Sequence, residues 1–223
     1  FELRSEPFVR CRGCTLTLIN PRPRSHVLYK RYDAVYTAAY TAKAEKKLRR
    51  SQRRVRRLKR EYHLQGRWLD VGCSAGFTVK AAEEEGFEAH GLDIATAAIE
   101  YGEKTLGLKN LVYGDLRDQG YPDGHFSAIS VYDVIEHVSE LQHFVRELKR
   151  VLAPDGVIDI GTPDIGHWRV PRELKRWNEF KPSEHLYYFN RSTLERLLSD
   201  NGLRIDRVRF AFKPGLKVCV RPV

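Results

Sequence analysis

Three aspartates, Asp93, Asp115 and Asp133, each follow an apolar run and stand where a strand would end. In an open α/β sheet, ligands gather outside the carboxyl ends of the strands, so acids there are candidates for binding rather than folding. Before the first of them comes Trp68-Leu69-Asp70-Val71, then five small residues, Gly72-Cys73-Ser74-Ala75-Gly76. Glycine lacks a Cβ, so the backbone at 72 and 76 can turn sharply and admit a ligand closely. An acid about 20 residues beyond such a turn, at the tip of the next strand, can accept both hydroxyls of a ribose. Asp93 meets that spacing, which predicts an adenosine-containing cofactor. A dinucleotide site would ask for G-x-G-x-x-G with a pyrophosphate at the helix N-terminus. Asp70 ahead of the first glycine instead suits a cofactor bearing an ammonium. Ser74 is expected to keep its backbone out of the regions that only glycine tolerates.

A second group is Asp133, Glu136 and His137, at i, i+3 and i+4. At the start of a helix they would share one face, with His185 arriving from a later segment. Carboxylates with imidazoles could bind Mg²⁺, Mn²⁺ or Zn²⁺, could serve as a metal-free general base, or could cap a helix and brace a loop. Cys11 and Cys14 form one C-x-x-C, half of a zinc ribbon or a bare thiol pair in a turn.

The elements that must position these groups alternate. Trp68 to Val71 is a buried strand, Thr78 to Glu85 a helix stopped by Gly86, and Phe87 to Leu92 a second strand. Thr96 to Thr105 is a helix, Leu111 to Tyr113 a third strand and Phe126 to Tyr132 a fourth. Val145 to Leu152 closes a helix, Pro154-Asp155-Gly156 turns, and Val157 to Ile160 is a fifth strand. Ser192 to Asn201 reads as a helix with a Ser192/Glu195 capping box, and Leu203 to Phe212 with Leu216 to Val220 as a hairpin. This pattern predicts a mostly parallel sheet with helices on both faces and an antiparallel strand from the hairpin. Residues 164–186 are too long for a plain connection and carry His167, Trp168, Trp177 and Phe180, so they suit an acceptor-site cover or a structural insertion.

Several stretches occur in one order across residues 67–220: Leu69 to Gly76, Gly91-Leu92-Asp93, Tyr121 to Phe126, Asp133 to Val138, Leu152 to Gly156, and Glu184-His185-Leu186. Together they resemble the class I S-adenosylmethionine-dependent methyltransferases, in the branch with ubiquinone-biosynthesis O-methyltransferases and many small-molecule methyltransferases. Asp70-x-Gly72-x-Ser74-x-Gly76 is similar to that family's D/E-x-G-x-G-x-G signature. The resemblance implies a Rossmann-like seven-stranded sheet in the order 3-2-1-4-5-7-6 with one antiparallel strand. It implies that Gly72, Cys73, Ser74, Ala75 and Gly76 cradle the methionine half of S-adenosylmethionine, with Asp70 supporting its ammonium. Asp93 would hold the ribose and Ile94 would lie against the adenine. Asp115 and Leu116 would meet the adenine edge, while Tyr132 and Asp133 would border the methyl-transfer site.

The implied activity is methyl transfer to a small-molecule hydroxyl, with Asp133, Glu136, His137 and His185 as catalytic candidates. Alternatives are an RNA 2′-O-methyltransferase-like enzyme, since a similar acid-x-x-Glu-His with a downstream His occurs in metal-dependent relatives, and a non-catalytic interaction module. Cys11-x-x-Cys14, an apolar run and Asn20-Pro21-Arg22-Pro23 resemble the second knuckle of a ribbon ahead of some such enzymes. Its first knuckle would then precede Phe1, as the absence of methionine also suggests. The domains expected are a ribbon remnant at 1–24, a helical lid and basic helix at 25–62, and a methyltransferase domain at 63–223.

Composition narrows the partners. Lys43 to Arg60 holds eleven basic residues and one acid, Glu45, a surplus equal to the chain's whole net charge of +10. That helix is either a solvated face with the narrow apolar stripe Leu48, Val55, Leu58, Tyr62, or a contact for nucleic acid or acidic lipid. No aromatic lies inside the basic cluster itself to stack bases, which disfavours single strands. Tyr29, Tyr32, Tyr36 and Tyr40 would share a helix face, as core or as an aromatic lid. No apolar run reaches the ~18 residues of a membrane span. Four scattered cysteines suit a reducing, cytoplasmic setting rather than a disulfide scaffold.

Overall fold

The computed structural model describes residues 2–3, 6–21, 37, 41–182 and 184–223. The tyrosines at 29, 32, 36 and 40 and the Arg22-Pro23 end of the ribbon motif lie outside the described residues. The chain divides into two compact units, one of Tyr29–Val131 with Arg150–Ile158, the other of Phe1–Leu28, Tyr132–Lys149 and Asp159–Val223.

In the first unit, α1 (Ala44–Tyr62) leads into β4 (Arg67–Val71), α2 (Phe77–Glu84), β5 (Glu88–Asp93), α3 (Thr96–Leu106) and β6 (Leu111–Tyr113). After a 3-10 turn at Leu116–Gln119 comes β7 (Phe126–Tyr132). β4 pairs in parallel with β5 and with β7, and β5 in parallel with β6. The apolar run of β4 is buried on both faces, as a central parallel strand requires.

The basic helix turns its core side to α2. Ser51, Val55 and Leu58 are buried, and Ser51 Oγ shares a 3.3 Å hydrogen bond with Thr78 Oγ1. Leu48 and Tyr62 of the expected stripe are only half-buried, so the seam is narrower and includes a serine. Part of the positive charge is answered within the fold: Arg56 pairs with Glu85 at 2.7 Å, and Lys59 approaches the same carboxylate at 3.8 Å. Leu58→Ala should therefore cost about 2–5 kcal/mol in a urea melt, because Leu58 is fully buried. Arg53→Gln, on the exposed side, should stay within about 0.5 kcal/mol.

The second unit opens with β1 (Glu2–Leu3), β2 (Glu6–Arg10) and β3 (Thr17–Ile19), and resumes with α4 (Leu141–Val151). Then follow β8 (Leu152–Thr162), of which Leu152 to Ile158 belong to the first unit, and β9 (Tyr187–Tyr188), α5 (Arg191–Ser199), β10 (Leu203–Arg209) and β11 (Leu216–Pro222). Antiparallel pairs run β1–β2, β2–β3 and β3–β9, so the N-terminal strands extend onto Tyr187 and Tyr188. Phe8 and Ile19 share a buried cluster with Trp177, Phe180 and Tyr188. Phe8 stacks on Phe180 at 5.3 Å between ring centroids. Within the 164–186 segment, Trp177 and Phe180 are thus core. β10 and β11 pair antiparallel with an irregularity between Ile205 and Arg207.

The seven-stranded sheet runs β10-β11-β8-β7-β4-β5-β6, which is the expected order 3-2-1-4-5-7-6 once its strands are numbered along the chain.

Local readings needed correction in three places. Pro154-Asp155-Gly156 lies inside β8, not in a turn. The α5 cap is Asn190, whose side chain accepts from Thr193 N, while the Thr193 hydroxyl accepts from Asn190 N. That reciprocal pair occupies the helix start three residues before Thr193, so Ser192 and Glu195 fall inside the first turns. Residues 133–137 form a turn rather than a helix.

Candidate functional site

The corner after β4 is built from backbone. Gly72 N and Cys73 N both donate to Leu92 O, at 2.9 and 3.0 Å, which locks the turn onto the end of β5. Gly72, Ser74 and Gly76 all have positive φ, 71°, 48° and 78°. A side chain at 76 would be strained by that φ and would run into Leu108. Ser74 departs from expectation: it does take a left-handed backbone, which costs a non-glycine residue about 1–2 kcal/mol. Its compensation is visible, since Ser74 N donates to Asp93 Oδ2 at 2.7 Å. The Ser74 hydroxyl is buried with no hydrogen-bond partner.

Asp93 ends β5 with its second oxygen accepting from Ala95 N at 2.8 Å. Beyond these backbone bonds the carboxylate keeps acceptor capacity for a ligand hydroxyl. Burial raises the Asp93 pKa, opposed by hydrogen bonds from the backbone of Ser74, Ala95 and Ile94. Ile94 is half-buried beside it. On the neighbouring strand end, Gly114 N donates to Asp93 O at 2.9 Å, and Asp115 caps the 3-10 turn by accepting from Arg117 N. Leu116 is buried. Ala75 is buried, and Cys73 turns its thiol inward toward Gly91, with burial pushing its pKa well up. Cys73 can therefore meet a ligand only through its backbone.

Asp70 sits inside β4 in a buried chain of hydrogen bonds, Trp68 Nε1 to Ser130 Oγ at 3.0 Å and Ser130 Oγ to Asp70 Oδ1. Burial pushes its pKa up to about 7, against hydrogen bonds from Ser130 and Thr78 and the charge of Arg54. The sequence reading missed Ser130, although a lone serine within an otherwise apolar strand is a signal that a buried polar group needs a companion.

The second cluster lies in the other unit. Glu136, His137 and His185 each bring one ligand atom to within 4.8 Å of the others. Glu136 is fully buried; its Oε2 accepts from Thr162 Oγ1 at 2.9 Å, while Oε1 has no hydrogen-bond partner and lies 3.9 Å from His137 Nε2. His137 Nδ1 donates to Glu184 O at 2.8 Å, and its ring meets that of His185 edge-on at 4.7 Å. His185 is held by the backbone of Glu179, with Nδ1 buried and unpartnered. Burial, then the charge of Asp133, lifts Glu136 to about 8. Burial lowers His137, and burial with the charges of His137 and Lys181 pushes His185 down to about 3.

Asp133 is not in this cluster. It is exposed, with φ 56°, and its N donates to Gly161 O at 2.8 Å. Without a helix, i and i+3 do not share a face, so Asp133 brings no ligand atom to the group although its charge still reaches Glu136. Tyr132 gives its hydroxyl to Asp159 Oδ2 at 2.6 Å. Thr162 and Glu184 were missed by the sequence reading, because one contributes through a strand end and the other through its carbonyl. Cys14 N donates to Cys11 Sγ at 3.5 Å, and backbone and side-chain hydrogen bonds from Cys14 lower the Cys11 pKa. Among the described residues no third ligand joins these two thiols in a metal-holding group.

Residues 39–208 match the model of a family described as a methyltransferase domain. Norajmaline N-methyltransferase of Rauvolfia serpentina is 33% identical over 99 residues, covering 41% of this chain and 34% of that protein. Ubiquinone biosynthesis O-methyltransferase of Xanthomonas oryzae is 28% identical over 102 residues, covering 43% and 42%. The chain thus spans about a third to a half of the length of such curated relatives. Magnesium protoporphyrin IX methyltransferase of Synechocystis, solved with bound SAH, shares the fold with a TM-score of 0.60 at 18% identity, over 79% of this chain and 83% of that one. With the family model matched over most of its length and the sheet order of that fold in place, the chain belongs to the class I S-adenosylmethionine-dependent methyltransferases.

Proposed function

We propose that the protein transfers a methyl group from S-adenosylmethionine to a hydroxyl of a small molecule. The observation that carries the cofactor half is the corner at 72–93: a turn stripped of side chains at 72 and 76, an unpartnered buried Ser74 hydroxyl, and a carboxylate with spare acceptor capacity. These suit an uncharged ribose and a methionine tail. In this reading Gly72 to Gly76 line the methionine half and Asp70 supports its ammonium. Asp93 takes the ribose hydroxyls, and Ile94, Asp115 and Leu116 border the adenine. The cofactor arrives activated, so the protein must orient the acceptor and take its proton. His137 and His185 are the imidazoles placed to receive it, against a burial that disfavours their protonated forms; the curated relatives include both N- and O-methyltransferases.

The test is calorimetry with S-adenosylhomocysteine and transfer of a labelled methyl group to a panel of phenols and amines. Absence of binding would overturn the reading. The pH dependence adds a sign. Asp70 keeps its proton below about 7 in the free protein, yet only its carboxylate can pair with an ammonium. Affinity should rise about tenfold per pH unit up to about 7 and level off above it. Asp70→Asn should flatten that profile.

A specific observation favours a metal in the second cluster. Glu136 and His185 each have one polar atom anchored by the protein and one buried without a hydrogen-bond partner, while a backbone carbonyl orients His137. Metal ligands are held this way by their outer hydrogen bonds. One carboxylate and two imidazoles suit Zn²⁺ or Mn²⁺ better than Mg²⁺, which prefers oxygen ligands. Glu136, His137 and His185 would hold the ion, and bound there it would supply Lewis acidity toward an acceptor hydroxyl. α1 is read as a solvated face lying on α2, with nucleic acid as a disfavoured second partner.

A further inference from the structure

Three large aromatics protrude in the second unit. Trp168 is 72% exposed, Phe210 82% and Phe212 63%. They come from two segments, the loop after β8 and the tip of the β10–β11 hairpin, and the two are tied together. His167 Nε2 donates to Ala211 O at 3.0 Å, and Arg169 donates to Phe212 O at 3.3 Å. The Arg169 guanidinium lies 4.1 Å from the Phe212 ring centre and 5.3 Å from that of Trp168, while His167 stacks on Trp168 with ring centroids 5.5 Å apart. The aromatics are therefore presented by a braced support rather than left on a loose loop.

We propose that this aromatic tip is a docking surface for an anionic phospholipid bilayer. Isolated exposed apolar residues are ordinary, but a joined group of this size marks an interaction surface. It is formed by a hairpin end and a loop braced against each other. Its chemistry is that of the membrane–water interface, where tryptophan and phenylalanine sink to headgroup level beside arginine and lysine. The charge agrees. Residues 207–217 carry Arg207, Arg209, Lys213 and Lys217 and no acid, and Arg169 and Arg172 stand on the facing loop. Cations near an anionic leaflet strengthen such shallow insertion and make it sensitive to salt. The inference is independent of the methyl-transfer reading, because none of these residues belongs to either cluster above.

The protein carries its own reporter. Of its three tryptophans, Trp68 and Trp177 are buried, so a solvent-dependent change in emission comes from Trp168. The full chain is titrated with phosphatidylcholine vesicles, with and without phosphatidylglycerol. The expected result is a blue shift and protection from acrylamide with the anionic vesicles, at least tenfold weaker on phosphatidylcholine alone and reversed by high salt. The double variant Phe210→Ser/Phe212→Ser keeps Trp168 and should lose about tenfold or more in vesicle binding. S-adenosylhomocysteine affinity, measured on the same samples, should be unchanged, which separates this proposal from that for the cofactor. Trp168 equally open to acrylamide with and without vesicles would overturn it. So would protection that grows with protein concentration alone, which means self-association, or that appears only with added RNA.

Discussion

Asp93→Ala is expected to abolish measurable S-adenosylhomocysteine binding in calorimetry, a loss of at least about 100-fold. The carboxylate has two duties. It accepts from Ser74 N at 2.7 Å and Ala95 N at 2.8 Å, which joins the left-handed turn to the start of α3. α3 has no other side-chain cap at Ala95. It would also receive the ribose hydroxyls. Hydrogen bonds to a charged group contribute about 1.5–3 kcal/mol each, so losing the ribose pair alone gives the stated effect. The structural duty predicts a fall in folding stability of about 2–4 kcal/mol in the unliganded protein. Asp93→Asn separates the two. It keeps one acceptor oxygen and the shape, so it should melt closer to the parent while binding at least tenfold more weakly. Binding unchanged in both variants would sink the ribose assignment.

The second large effect belongs to the buried cluster. His185→Ala is expected to reduce bound zinc or manganese, measured by elemental analysis after dialysis against the metal, to below a tenth of the parent. Methyl transfer should fall by about 100-fold or more. The reason is geometric: a set of three with one ligand removed leaves Glu136 and His137, too few for an N/O site. Thr162→Val leaves all three ligands but removes the bond to Glu136 Oε2, and should weaken metal binding about 10–100-fold. A parent protein that holds no metal under these conditions, and whose transfer survives a chelator, would assign the cluster to proton transfer alone. The methyl-transfer reading would stand in that case, because cofactor binding rests on other residues.

The contrast between the two clusters shows which parts of the protein are legible in one dimension. The corner proposed for the cofactor is local. Asp70, Gly72, Gly76 and Asp93 fall within one strand–turn–helix–strand unit, where spacing along the chain is spacing in the fold, and the alternation of short apolar runs with helical stretches carries the sheet order. The Glu136–His137–His185 group is not local. Its members were recognisable by type, but the helix expected at 133 is a turn, Asp133 brings it no ligand atom, and Thr162 and the Glu184 carbonyl do the positioning.

Residue types, their periodicity and the small-residue turn thus suffice for the fold class and the shape of the corner at 72–93, since those follow from interactions between near neighbours in the chain. The strands of the N-terminal segment, by contrast, end up paired with Tyr187 and Tyr188, and Trp177 and Phe180 become core beside Phe8 instead of a cover. Ser74 accepts a backbone that its own preferences oppose, because Asp93 waits for its amide nineteen positions on. Such outcomes depend on groups far apart in the chain competing for the same hydrogen bonds and buried volume, a competition that is settled only when the whole chain is folded.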